Sequence, residues 1–249
     1  MKPARVAVIG LMLLATIAVT VGAAQTKAPV PTQKGSGGTY RITVHGKAVG
    51  AEHFEMVTSG DETTLTTESR LTVGDSEEIV NSSLELEKGS PVHYTVESGS
   101  SMVPRKYTLT FDAGVIKAKV ESTGKTAERT VKVPSGIVVL DKDVWSQYRV
   151  LFGKYDMNKK GLQSFQAFTP VPALRAYGVD VELDKPTSFR SGAEILTRKS
   201  PTNMESQEFI VNRFFVRLAD GLGLTAMVSA DGTPVEIELP TQDVKITLM

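Results

Sequence analysis

The chain has 249 residues with 28 basic and 28 acidic side chains, three histidines and no cysteine. Without cysteine there are no disulfide staples, thiolate nucleophiles or thiolate metal sites. Without excess positive charge there is no electrostatic footprint for nucleic acid. Buried area alone must stabilise the fold, and domains of about 150 residues or more bury roughly 70% of their unfolded surface.

Met1 to Arg5 carries Lys2 and Arg5 without an acid, Val6 to Val21 is a nearly unbroken apolar run, and the small residues of VGAAQT follow. That order predicts a signal peptide over residues 1–24, cleaved after Ala24 or one residue earlier. The run falls short of the roughly 20 apolar residues that span a bilayer, so no stable membrane span is expected after cleavage. Losing Lys2 and Arg5 leaves 26 basic against 28 acidic side chains, a net charge near −2. No cysteine follows to be lipidated, and the expected product is a soluble bacterial periplasmic protein. QTKAPVPTQKGSG, residues 25–37, is rich in proline and glycine and predicts a flexible leader.

From Gly38 to Met249 the pattern is that of a single β-rich domain. Tyr40, Ile42 and Val44 alternate with Arg41, Thr43 and His45. HGKAVG is expected to turn the chain, and Phe54 and Met56 continue an inward face beside His53 and Glu55. Leu65, Leu71 and Val73 punctuate a threonine-rich stretch suited to a pleated surface. Ile79, Leu84 and Leu86 follow, then Val92, Tyr94 and Val96, then Tyr107, Leu109 and Phe111. Turn signals at Gly74-Asp75, Lys88 to Pro91, Asp112 to Gly114 and Thr123-Gly124 separate these sets. Short connections between such strands mean antiparallel hairpins, and a sheet of eight or so strands twists and curls. Its apolar face then needs a cover.

DKDVWSQYRVLFGKYDMNKKG breaks the rhythm. Val144, Tyr148, Leu151, Phe152 and Tyr155 form a helical stripe, which predicts a helix near 141–157. Asp141 or Asp143 is its expected N-cap, Lys159-Lys160 suits its C-terminal end, and Gly161 closes it. Gly153 inside the stripe costs about 1 kcal/mol and is a place where the helix could stop early. Beyond it, LRAYGVDVELDKP and GAEILTRK read as two strands joined at Lys185-Pro186. QEFIVNRFFVRL, apolar in both phases, reads as a central strand covered on two faces. The last strands carry an Asp231-Gly232 hairpin signal.

Little of the polar content points to chemistry. His45, His53 and His93 share no metal-ligand spacing and read as surface histidines, so no metal site is expected. No G-x-S-x-G elbow occurs, and ESGSSM at Glu97 to Met102 reads as a loop between strands. GSGG at Gly35 to Gly38 precedes a strand, the wrong order for a phosphate cradle. The closest carboxylate pair, Asp141 and Asp143, is explained by helix capping. No catalytic residue and no cofactor is expected, and the chain is read as non-enzymatic.

What stands out is aromatic. Trp145, Tyr148 and Phe152 lie on the helical segment, and Phe165 and Phe168 on the strand after it. Such residues either line a site for an acyl chain or another hydrophobic ligand, or fill the curl as ordinary core.

GTYRITVHGKAVGAEHF resembles the opening of a family of exported bacterial proteins classed as a domain of unknown function. Members begin with a strand, a G-x-x-V-G turn such as Gly46 to Gly50, and a second long strand. A short helix follows near the middle, and the final strands include a hairpin such as Asp231-Gly232. The family is similar to the half-barrel of the lipoprotein-localisation carriers, whose curved antiparallel sheet wraps helices and shelters acyl chains. Over most of Gly38 to Met249 the resemblance implies that architecture and carries no catalytic residue across.

These readings converge on a mainly β fold: a large curved antiparallel sheet, a half-barrel or open barrel, packed on one short helix. The expected role is an exported envelope protein that binds a lipid or acyl chain through Trp145, Tyr148, Phe152, Phe165 and Phe168. The alternative is a structural or interaction module of an envelope complex, with a protein partner and no small ligand.

Overall fold

The computed structural model describes residues 34–99, 105–170, 174–190, 208–219 and 221–249. The expected signal peptide, the leader up to residue 33 and the expected strand GAEILTRK lie outside them.

The first half is a meander of eight strands: β1 Lys34–Val44, β2 Lys47–Ser59, β3 Glu62–Val73, β4 Ser76–Glu87, β5 Ser90–Gly99, β6 Arg105–Asp112, β7 Val115–Ser122 and β8 Lys125–Lys132. The short β9 Val138–Val139, a 3-10 turn at Trp145–Gln147 and the helix α1 Tyr148–Gly153 follow. The second half comprises β10 Leu162–Thr169, β11 Arg175–Arg190, β12 Glu208–Leu218, β13 Gly223–Val228, β14 Pro234–Leu239 and β15 Val244–Leu248. Among the described residues, fifteen strands form one sheet, ordered β8 through β1, then β15 down to β9. Among the described residues every pairing is antiparallel except β9 with β10, and the sheet stays open between β8 and β9. This is the expected curved, mainly β architecture.

Turn chemistry builds the meander. His45-Gly46, Lys88-Gly89, Ala113-Gly114 and Thr123-Gly124 each place two consecutive residues at positive φ. That is the two-residue hairpin geometry whose twist matches its flanking strands, with glycine second. Side chains then line up across the concave face in rows. One runs Phe54, Thr67, Ser82, Val96, Tyr107, and the next Met56, Leu65, Leu84, Tyr94, Leu109, Ala118.

Several details differ from the sequence expectation. The leader ends earlier: Lys34 to Gly37 already belong to β1. Glycine there reflects close strand contact, since a Cβ on Gly37 would lie 2.7 Å from the Phe54 carbonyl oxygen. The first turn is only His45-Gly46, and Lys47 to Gly50 lie in β2 with a bulge opposite Ile42 and Thr43. Val80, not Ile79, faces the core on β4. No turn occurs at Lys185-Pro186: β11 runs through it, with one extra residue between Leu183 and Pro186. A bulge tolerates the missing N–H of proline within a strand. β12 turns Phe214 and Val216 into the core, while on its other face Val211 is buried and Phe215 is 37% exposed under the Arg213 guanidinium at 5.1 Å; Ile210, near the start of the strand, is 80% exposed.

The segment from Ile137 to Asp156 acts as a plug inside the curl. Ile137 to Leu140, Val144, Tyr148, Val150, Leu151, Phe152 and Tyr155 join the inner faces of both halves of the sheet in one continuous core. α1 is much shorter than the predicted span near 141–157, ending at Gly153. Tyr155 continues the apolar stripe beyond the helix, its hydroxyl donating to the Gly161 carbonyl at 2.6 Å. Among the described residues no helix is long and apolar enough to cross a membrane.

Candidate functional site

The plug meets the sheet through a buried polar cluster. Glu52 on β2 is fully buried, and its two oxygens accept the N–H groups of Trp145 at 2.6 Å and Ser146 at 2.7 Å. The first free N–H groups of a helical segment are normally satisfied by a side chain just before it. Here Val144 occupies that place with no capping bond, and a carboxylate 93 residues distant in sequence does the capping. Asp141 and Asp143, expected as N-caps, do other things. Asp141 is buried and accepts the Tyr94 hydroxyl at 2.9 Å and the Lys142 N–H at 2.8 Å, while its own N–H donates to Gln147 Oε1. Asp143 takes a left-handed backbone conformation, φ 63°.

Burial raises the Glu52 pKa to about 7, against the opposing hydrogen bonds from Ser146 and Trp145, with the charge of Asp143 adding to the rise. Burial likewise lifts Asp143, helped by Glu78. Tyr94 is pushed well above its usual range, first by burial and then by Asp141, so it remains a donor. Tyr94→Phe strips that donor from a buried carboxylate. A stability loss of about 1–3 kcal/mol is expected, read from the denaturant midpoint.

Arg149 anchors the other side of α1, donating to Ser36 Oγ at 2.8 Å and to Asp231 Oδ2 at 3.2 Å. The plug is thus fastened to β2 and β5 at its start, and to β1 and the β13–β14 turn further on.

The five expected ligand residues fall into separate places. Trp145, Tyr148 and Phe152 form a column on the plug, with ring centroids 6.2 and 6.4 Å apart. Phe152 continues it onto Phe214 of β12 at 5.1 Å. Phe168 is fully buried on β10, edge-on to Phe111 of β6 at 6.4 Å. Phe165 is half-buried on the same strand. Tyr148, Phe152 and Phe168 are therefore in contact with other side chains throughout. A small cavity of about 50 Å³ beside the plug is lined instead by Val80, Val96, Ser98, Asp141 and Asp143 with Glu78 and Lys142. A wider groove of about 560 Å³ includes Ile79, Asn81, Glu97 and Lys106.

Two of the histidines read as surface residues are indeed exposed: His45 Nδ1 is 2.9 Å from Asp243 Oδ2, and His53 Nδ1 is 3.2 Å from Thr39 Oγ1. Among the described residues no group of three or more histidines or carboxylates is placed to hold a metal ion. Glu52 is the residue that sequence reasoning missed. Its signal was present, since it shares the inward phase of Phe54 and Met56.

No protein-family model matches the chain, and no curated protein matches it. Among solved structures it is similar to the β-barrel-like protein of the domain of unknown function DUF1849 from Brucella abortus, at 11% identity and a TM-score of 0.55, over 88% of this chain and 96% of that one. A DUF1089 family protein from Pseudomonas aeruginosa aligns at 10% identity and a TM-score of 0.45, over 77% of this chain and 89% of that one. At such identity the first likeness speaks of fold alone: the chain has the architecture of an uncharacterised β-barrel-like domain.

Proposed function

We propose that this chain is an exported, non-enzymatic protein of the bacterial cell envelope that handles a hydrophobic ligand, a lipid or acyl chain, on the concave face of its sheet. The observation that carries the reading is the aromatic column. Trp145, Tyr148 and Phe152 lie along a plug whose only helix has six residues, inside an open sheet with an apolar inner surface. A ligand would take over that surface by displacing the plug, and aromatic walls with a few fixed polar groups suit such a molecule. The resemblance to the carrier half-barrel supports the same reading.

Protein recovered from its own envelope is expected to carry a lipid in native mass spectrometry. Returning that lipid to the stripped protein is expected to shift the emission of Trp145, the single tryptophan. A second reading, an interaction module without a small ligand, is favoured by the tight packing of Tyr148, Phe152 and Phe168. Its contact surface would be the free edge of β8, where a partner strand could add. Lipid-free protein whose Trp145 emission ignores fatty acids and phospholipid vesicles would leave the second reading standing and the first one lost.

A further inference from the structure

We infer that Glu52 is a proton-linked latch on the plug, so that the Trp145–Gly153 segment parts from the sheet more readily when this carboxyl ionises. The argument begins with placement. Glu52 is fully buried, it holds the two N–H groups that open the 3-10 turn, and among the described residues it makes no ion pair. Parting the plug from β2 would bring the carboxyl into water, which stabilises its charged form far more than the core does. Opening and proton loss therefore favour each other.

The groups around Glu52 do not cancel this. Directly opposite on β1 is Tyr40, whose hydroxyl donates to the Pro234 carbonyl and whose pKa is raised by burial. Opposite on β3 is Ser69, which is uncharged. From the segment before the turn comes Asp143, of the same sign as an ionised Glu52. Arg149 of α1, whose positive charge acts on Tyr40, is engaged by Ser36 and by Asp231 of the β13–β14 turn.

The direction follows from linkage. The closed form binds the Glu52 proton up to about pH 7, whereas a solvated carboxyl releases it near its ordinary value of 4.5. Between pH 5.5 and 8 the opening equilibrium is then expected to rise about 30-fold.

Amide hydrogen exchange at Trp145 and Ser146, corrected for the intrinsic pH effect, reads this directly. Protection is expected to drop by that factor at pH 8, together with increased acrylamide quenching of Trp145. Glu52→Gln keeps an acceptor and removes the titration, so its protection is expected to be equal at both pH values. A variant with unchanged pH dependence would overturn the latch. If Glu52→Gln fails to fold, the carbon-13 titration of the Glu52 carboxyl in the unaltered protein decides. A midpoint near 7 supports the latch, and one near 4.5 removes it. No lipid enters these measurements, so the latch and the ligand reading can fail separately.

Discussion

Truncating Phe168 to alanine is expected to lower stability by about 3–5 kcal/mol, the range for removing a fully buried aromatic ring. Phe168 has no exposed surface and meets Phe111 edge-on at 6.4 Å. These two rings belong to β10 and β6, strands far apart in the sheet order and brought together only by its curl. Losing one ring leaves a cavity where the two halves meet, and rigid strands on either side limit collapse into it. Phe165→Ala is the matched comparison, three residues earlier on the same strand but half-buried. About 1 kcal/mol is expected there, in line with the smaller area it hides. Urea denaturation followed by circular dichroism separates the two. Equal losses would mean that the Phe111–Phe168 contact does not join the halves.

The second large effect is expected at Gly50. A Cβ there would collide with the Arg70 carbonyl oxygen and lie 2.9 Å from Leu71 Cδ2, which forces β3 away from β2. The obstacle is backbone in a sheet paired on both sides, so no rotamer change relieves it. Gly50→Ala is expected to cost about 3 kcal/mol, at the upper end for overpacking. Gly46→Ala, in the turn of the same hairpin, meets nothing within 4 Å and carries only the penalty of its positive φ, 71°. About 1 kcal/mol is expected for it. If thermal unfolding ranks Gly46→Ala as the more damaging change, the close approach of β2 to β3 at Gly50 is wrong.

Both results bear on the site, because Gly50 and Glu52 share one face of β2. A strand that shifts at Gly50 also moves the carboxylate holding Trp145 and Ser146. Gly50→Ala is therefore expected to weaken exchange protection of the plug amides as well as global stability.

The strands of the first half were legible because their causes are local. Alternation every second residue and glycine at the second turn position act within a few residues. Lys88-Gly89 and Thr123-Gly124 needed no distant partner to be recognised. The same local rules misled where two phases were both apolar. Ile79 and Val80 are equally hydrophobic, and only the neighbouring strands decide which of them faces inward. At Lys185-Pro186 the turn signal was real, yet pairing with β12 absorbed it as a bulge.

The helical stripe shows the boundary between the two kinds of information. Val144, Tyr148, Leu151, Phe152 and Tyr155 were read as one buried face, and all five are buried. The span of the helix was not legible, because beyond Gly153 Tyr155 keeps its place through its hydroxyl on the Gly161 carbonyl and an i→i−3 bond to the Phe152 carbonyl rather than through continued α-helical bonds. Nor was the cap, since Asp141 and Asp143 offered the expected chemistry at the expected position. Glu52 displaced them only because the sheet curls far enough to carry β2 under residue 145.

By itself, then, the order of residues determined that this is an antiparallel sheet with an apolar inner face and a short aromatic segment to cover it. Those properties follow from side-chain period and turn stereochemistry, which act along the chain. Only the tertiary structure decided that β1 joins β15, that Phe111 meets Phe168, and that a buried carboxylate, rather than a neighbouring aspartate, holds the plug. These contacts depend on how far the sheet twists and curls, which no short stretch of sequence encodes.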